Sequence, residues 1–177
     1  MRAEQYQRQL DVVTDYIYAH LDEELSLEVL AHVSGFSRYH WHRIYRAVRG
    51  ETAAQAVRRL RLERAAAMLT EHVEPGSMVL VVGGDGVRQA LLDEGFQVTS
   101  SAQDGPVAVV QGWDPAVDWA LLSEGVYDIN AGALHVATNL DATLPTERGF
   151  ALGNGSLVAA IVHASGKEPL AGGKPFP

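Results

Sequence analysis

The spacing of apolar residues changes along the chain, from helical spacing at the start to short apolar runs later. Up to about residue 73 apolar positions recur at steps of three and four, which indicates amphipathic helices. From Met78 onward, short apolar runs alternate with glycine-bounded segments of helical character, which favours an α/β domain with a largely parallel sheet. The predicted strands are residues 78–82, 96–99, 107–110 and 133–137, and the predicted helices are 87–94, 114–130 and 155–164.

Three helices are predicted before residue 50. The first covers about residues 4–21, and the second is short, Leu27–Val33. Ser26 and Ser37 stand where they can cap the second and third helices, and Gly35 supplies the turn between these two. A short helix, a turn containing glycine and a second helix form a helix-turn-helix, so a three- or four-helix unit of that kind is expected here.

A fourth helix, residues 52–73, has apolar residues on two opposite sides. Ala53, Ala56 and Leu60 share the early side, whereas Ala66 and Leu69 lie on the other. A surface helix needs one apolar face, so two faces predict one helix shared by two cores. The alternative is a helix buried on both sides within one domain. The expected fold is therefore α plus α/β, with a helical domain over residues 1–72 joined by the shared helix to an α/β domain over residues 73–177.

Charge is spread unevenly along a chain of net charge −8. Residues 38–64 hold eight arginines against Glu51 and Glu63, while residues 75–177 hold four basic and eleven acidic side chains. A polyanion such as DNA is attracted by local positive charge, so a chain that is acidic overall can still bind it through one basic face. Cysteine is absent, which excludes disulfides and zinc–thiolate sites. With no signal-like or transmembrane-length run, the expected location is cytoplasmic with no membrane partner.

The third helix places Tyr39, His42, Arg43 and Arg46 on one side. Such groups can bind base edges and phosphates in a major groove, although a solvated helix face is the alternative. His40 is two positions from His42, so the two rings point apart on a helix and no metal site is expected.

The segment LSLEVLAHVSGFSRYHWHRIYRAVRGETAAQAVRRLRLERAAAML resembles the first half of an AraC/XylS-type DNA-binding domain. The match covers about residues 5–70. By that resemblance Tyr39, His42 and Arg43 would face bases, with Ser37, Arg38 and Arg46 near phosphates. Such domains carry two helix-turn-helix units, and this sequence has one. The resemblance therefore implies at most weak, salt-dependent binding to double-stranded DNA.

A glycine-rich turn, Gly83–Gly86, follows the first predicted strand and invites comparison with a dinucleotide site. The fingerprint G-x-G-x-x-G needs a third glycine where Gln89 stands, and Asp85 would repel a pyrophosphate. A plain strand-to-helix turn is favoured, and no cofactor is expected.

The later segments AGALHVATNLDATLPTERG, GNGSLVAAI and GKPFP resemble a NagD-type haloacid-dehalogenase (HAD) phosphatase. The resemblance covers about residues 64–177 and implies the mobile cap domain that shapes the substrate pocket over a separate catalytic core. Candidate cap residues for a small phosphate ester are Asn139, Asp141 and Asn154. Lys174 would match the core lysine that contacts the phosphate.

The nucleophile motif D-x-D-G and the acidic magnesium-binding pair of that family do not occur in the 177 residues. Without paired carboxylates neither a phosphoenzyme route nor a magnesium site is expected. The leading interpretation is therefore a non-catalytic, chimera-like fusion of a DNA-binding, transcription-regulator module with a phosphatase cap. One alternative is a fragment of a magnesium-dependent phosphatase that acts only with a separate core. Another is a ligand-sensing regulator. The sequence leaves open whether the protein forms a homo-oligomer.

Overall fold

The computed structural model describes residues 2–21, 23 and 25–172, and by their contacts the chain divides into two compact units, residues 1–60 and 61–177. The first unit is helical. Its elements are α1 (Arg2–Ala19), α2 (Leu27–Ser34), α3 (Arg38–Arg49) and the first half of α4 (Ala53–Thr70). The predicted domain boundary at residue 72 lies later than this division, and the assignment of a function to each domain stays a prediction.

The core of the first unit is formed by the apolar stripes of its helices. Leu10, Val13 and Ile17 of α1 and Trp41 of α3 are fully buried, and Leu60 of α4 is buried with them. Leu10, Val13 and Ile17 follow one another at steps of three and four, the spacing from which amphipathic helices were predicted.

Two glycines end the short helices of this unit. Gly35 closes α2 at φ 69° and Gly50 closes α3 at φ 74°, a left-handed conformation that glycine adopts without a Cβ penalty. Ser26 caps α2 as predicted, because its Oγ accepts the N–H of Val29 at 3.3 Å. Ser37 stands at the N-cap position of α3, but in the described structure its side chain makes no capping hydrogen bond.

The second unit is an α/β domain built on a parallel sheet, as the alternation of elements predicted. Its strands run in the order β2-β1-β3-β4-β7, and every neighbouring pair is parallel. The elements are β1 (Met78–Val82), α5 (Asp85–Asp93), β2 (Gln97–Thr99), a 3-10 turn (Ala102–Asp104), β3 (Ala108–Gln111), α6 (Trp119–Ala131), β4 (Leu134–Ala137), β5 (Thr143–Thr146), β6 (Gly149–Leu152), α7 (Asn154–Ser165) and β7 (Leu170–Ala171).

Helices cover both faces of this sheet. On one face Val79 and Val81 pack in a cluster with Leu69 of α4 and Leu91 of α5. On the other face Leu80 and Val82 pack with residues of α6 and α7, Ile129 and Ile161. Both faces of the central strands are buried, which explains why β1 reads as a continuous apolar run.

The helix α4 is continuous from Ala53 to Thr70, and the two-sided pattern of its sequence is confirmed. Ala53, Ala56 and Leu60 belong to the helical core, while Ala66 and Leu69 belong to the core of the α/β unit. No helix within the described part of the chain has the length and apolar character needed to cross a bilayer. The expected cytoplasmic location stays a prediction.

Two predicted elements differ in the structure. The helix expected from residue 114 begins at Trp119, because Asp118 is its N-cap and accepts the Leu121 N–H at 2.9 Å. Asp114 accepts the Ala116 N–H at 2.8 Å and forms a separate turn. No strand was predicted in the polar segment after β4, yet it forms the antiparallel hairpin β5–β6.

Leu60→Ala should destabilise mainly the helical core, and Leu69→Ala should destabilise mainly the core of the α/β unit. Each removes a buried side chain and should cost about 2–5 kcal/mol, the usual range for a large-to-small core substitution. Hydrogen exchange should show lost protection in α1–α3 for Leu60→Ala and in β1 and β3 for Leu69→Ala. Equal loss of protection across the whole chain in both variants would contradict the division at residue 60.

Candidate functional site

The carboxyl ends of β1, β3 and β4 meet at one edge of the parallel sheet, where α/β proteins usually bind their ligands. Close packing fills the exits of β1 and β3. A Cβ on Gly84 would collide with the carboxylate of Asp114, and a Cβ on Gly112 would lie 2.6 Å from Cγ2 of Val87. The Asp114 carboxylate therefore lies over the glycine turn, where a dinucleotide phosphate would have to approach. This geometry agrees with the plain-turn interpretation of Gly83–Gly86.

The exit of β4 carries the polar side chains of the candidate site. Asn139 and Asp141 follow β4 directly, and Asn154 is the first residue of α7. Asn154 Nδ2 donates to the backbone oxygen of Asn139 at 2.8 Å, and the Asp141 N–H donates to Asn139 Oδ1 at 3.2 Å. The structure thus brings the three predicted cap residues together, while their role toward a ligand stays a prediction.

The carboxylate of Asp141 faces a cation from α4. Arg61 Nη1 lies 3.3 Å from Asp141 Oδ2, and the Arg61 side chain is mostly buried. An ion pair that is partly shielded from water holds its geometry better than an exposed one. Asp141 is therefore oriented by Arg61 and lies at the β4 exit in a fixed position.

Glycines on both sides of Asn154 let the backbones approach closely. A Cβ on Gly153 would collide with the backbone oxygen of Asp141, and a Cβ on Gly155 would collide with that of Leu140. The obstructing atoms belong to the backbone, so a change of side-chain rotamer cannot relieve these collisions. Gly153 and Gly155 are thus required by contact between the start of α7 and the loop after β4.

A buried polar pair on the α6/α7 face of the sheet was not anticipated from the sequence. His135 Nε2 lies 3.1 Å from Gln111 Oε1, and both side chains are buried. Burial lowers the pKa of His135 to about 4, because the charged imidazolium loses its hydration. The ring is therefore neutral at pH 7. The sequence signal that could have indicated this pair is one glutamine and one histidine, each within an otherwise apolar strand.

Asp128 of α6 is a second buried titratable group. Loss of hydration raises its pKa to about 6, and its Oδ2 has no hydrogen-bond partner within the described residues. Ionisation of the buried Asp128 carboxyl therefore lowers the free energy of unfolding.

The residues predicted to contact DNA lie along α3 and just before it. Tyr39, Arg43 and Arg46 are exposed, and His42 is half-buried. Ser37 is also exposed, and Arg38 begins the helix, its side chain lying outside the described structure. The ring of His40 instead packs edge-on against Phe36, with 5.1 Å between centroids. The assignment of the six residues to DNA stays a prediction.

Lys174 lies outside the described residues. Among residues 2–21, 23 and 25–172 there is no group of three histidine, cysteine, aspartate or glutamate side chains that could hold a metal ion.

Comparison with known proteins gives relatives that share one activity class. D-glycerol 3-phosphate phosphatase of Mycobacterium tuberculosis is 44% identical over 115 residues, 65% of this chain and 33% of the relative. Acid sugar phosphatase of Staphylococcus saprophyticus is 34% identical over 103 residues, 58% of this chain and 39% of the relative. These relatives are phosphatases. No family model matches the chain.

The solved structures that resemble this chain are also phosphatases. A crystal structure of the M. tuberculosis glycerol phosphate phosphatase in complex with magnesium matches 66% of this chain and 36% of that chain, with a TM-score of 0.64 and 43% identity. The relatives are of the NagD type of HAD phosphatases, so this part of the predicted resemblance is confirmed. The chain spans about a third of the length of the relatives.

The comparisons correct two predictions. The expectation that the chain is not an enzyme is wrong. Its relatives are named phosphatases, which point to an enzyme family. The description as an AraC-family, DNA-binding, helix-turn-helix transcription regulator conflicts with the same relatives, and none of the comparisons shows an AraC/XylS half or a fusion. The helices α2 and α3 and the turn between them are present as predicted, but no comparison connects them with DNA.

Gly155→Ala should destabilise the second unit by about 1–3 kcal/mol or more, because the new methyl group collides with the Leu140 backbone oxygen. Gly86→Ala, in the first turn of α5, is the matched control. Its Cβ would meet only Leu62 Cδ1 at 3.1 Å, the end of a flexible side chain. Urea denaturation of the two variants makes the comparison, and equal stability would contradict the close packing at Gly155.

Asp128 and His135 should give opposite pH dependences of stability. The raised pKa of Asp128 makes stability fall as pH rises from about 4 to 6, whereas the lowered pKa of His135 makes it rise over about 4 to 6.5. Asp128→Asn should add about 1–3 kcal/mol at pH 7–8 and little at pH 4. The variant should then show only the rise that His135 produces. Urea denaturation at several pH values measures this, and an equal gain at pH 4 would exclude the titration of Asp128 as its cause.

Proposed function

We propose that this chain supplies the substrate-covering part of a phosphatase that acts on small phosphate esters, together with a catalytic core outside these 177 residues. The observation that carries the proposal is the 44% identity to a D-glycerol 3-phosphate phosphatase over 115 residues, which are only 33% of that enzyme. Since the first unit has 60 residues, at least 55 of the 115 matched residues lie in the second unit.

The catalytic groups are assigned to the core for a chemical reason. Transfer of a phosphoryl group through an aspartyl intermediate needs a positioned carboxylate nucleophile and an acid. The motif D-x-D-G that supplies them in the family resembled by this chain does not occur in the sequence. The proposed contribution of this chain is to orient the ester and to exclude water, which are separate sources of rate enhancement.

We assign the ligand-facing surface to the β4 exit and the hairpin β5–β6. Asn139 offers an amide at this edge, and the hairpin exposes large apolar side chains, Phe150 at 81% and Leu152 at 65%. A surface that combines an amide with apolar area suits the alcohol part of an ester whose phosphate is held by the core. A small organic phosphate is therefore the proposed substrate class.

Replacing the matched segment of the M. tuberculosis glycerol phosphate phosphatase with residues 61–177 of this chain tests the proposal. The chimeric enzyme should release phosphate from glycerol 3-phosphate. Its matched control carries a glycine–serine linker in place of the segment and should be at least about tenfold less active, since orientation and water exclusion are lost. A chimera that folds but is no more active than the linker control would refute the proposed function.

A further inference from the structure

The loop after β4 is held by the start of α7 through a row of hydrogen bonds. The backbone oxygen of Asn139 accepts from Asn154 Nδ2 at 2.8 Å, and that of Asp141 accepts the Gly155 N–H at 2.9 Å. The backbone oxygen of Ala142 accepts both the Gly153 N–H at 3.0 Å and Ser156 Oγ at 2.6 Å. We call residues 139–142 and 153–156 with these bonds the hairpin clamp.

The hairpin clamp closes the base of the hairpin β5–β6. β5 begins at Thr143, one residue after the first segment of the clamp, and β6 ends at Leu152, one residue before the second. All four residues of β6 are exposed, so the hairpin has little packing of its own to fix its direction. Its direction is therefore set where its two ends are held.

Asn154 connects this clamp to the sheet. Its side chain is 1% exposed, and its Nδ2 donates to the backbone oxygen of Gln111 at the end of β3, at 3.4 Å, as well as to that of Asn139. One amide group thus joins the ends of β3, β4 and α7. A buried backbone oxygen that loses its donor is costly, so the loop depends on this side chain more than on an exposed contact.

Burial also decides what Asn154 can do. At 1% exposure its side chain has no surface to offer a ligand, although the sequence had suggested it as a cap residue alongside Asn139 and Asp141. Asn139, in contrast, is half-buried at the edge, and the clamp fixes its backbone.

We propose that Asn154 is a positioning residue, which fixes Asn139 and the hairpin β5–β6 at the ligand-facing edge without contacting the ligand itself. The role toward a ligand rests on the proposed function. The role in holding the hairpin clamp is a property of this chain and can be tested in the protein alone.

Asn154→Asp tests the clamp, because it preserves the shape of the side chain and replaces the donating amide with a carboxyl group, which repels the backbone oxygens of Gln111 and Asn139 when it is ionised. Hydrogen exchange on the intact 177-residue protein should become about tenfold faster at the amides of Gly153, Gly155 and the hairpin, while the amides of β1 and β3 keep their protection. The side-chain amide protons of Asn154, protected from exchange in the unchanged protein, give a direct NMR signature. Ser156→Ala removes one bond of the same clamp and should give a smaller effect in the same segment.

Two results would overturn the proposal. If exchange becomes faster equally in all strands, Asn154 is a general stabiliser. If it changes nowhere, Asn154 does not hold the clamp. Should Asn154→Asp fail to fold, Asn154→Ser, which keeps one short donor, decides between these outcomes in the same experiment.

The chimeric phosphatase described above tests the role toward a ligand. Asn154→Asp in the transplanted segment should raise KM for glycerol 3-phosphate by about tenfold with a smaller change in kcat, whereas mere loss of folded enzyme lowers kcat at constant KM. That second pattern would contradict a positioning role. An inactive chimera would refute the proposed function instead, and the exchange experiment would still decide on the clamp.

Discussion

Burial of the parallel sheet on both faces is the constraint on which the second unit depends. Parallel strands cannot be joined by tight turns, so each connection crosses over a face and the crossover helices shield the strands from water. Val79, Leu80, Val81 and Val82 are fully buried as a result. The same connectivity brings the exits of β1, β3 and β4 to one edge, which fixes where polar groups can gather outside the core.

The two halves of that edge differ in what they can offer. At β1 and β3, glycine turns pack so closely that Asp114 fills the space above Gly84. At β4, backbone oxygens of a short loop instead accept bonds from the start of α7, including the buried amide of Asn154. The polar groups of the second half hold a loop and a hairpin in place. We propose that this edge covers a ligand, with the reacting groups in a separate core.

Much of the fold could be predicted from the spacing of apolar residues, because burial imposes that spacing. The continuous run at β1 and the two-sided pattern of α4 both follow from which faces meet a core. The hairpin β5–β6 could not be predicted in this way, since it is largely exposed and includes Pro145. The start of α6 was placed too early because Asp114 and Asp118 are both good capping residues, and only packing selects between them.

The three candidate cap residues could be named from the sequence, but their role toward a ligand stays a prediction. Asn139, Asp141 and Asn154 were named from the resemblance to a phosphatase cap, and the structure brings them together. That Asn154 is buried and that Arg61 pairs with Asp141 depend on contacts between residues far apart in sequence. The polar pair of Gln111 and His135 was missed for the same reason, since the two residues lie 24 positions apart in the sequence.

We propose that the β4 edge of the second unit covers the substrate of a phosphatase core. A crystal structure of the chimeric M. tuberculosis enzyme with inorganic phosphate bound in its core tests this proposal. Asn139 and the hairpin β5–β6 should face the bound phosphate across the substrate cavity, with Asn154 buried behind them. If the opposite edge of the sheet faces the phosphate, or if Asn154 itself reaches it, the proposal is wrong.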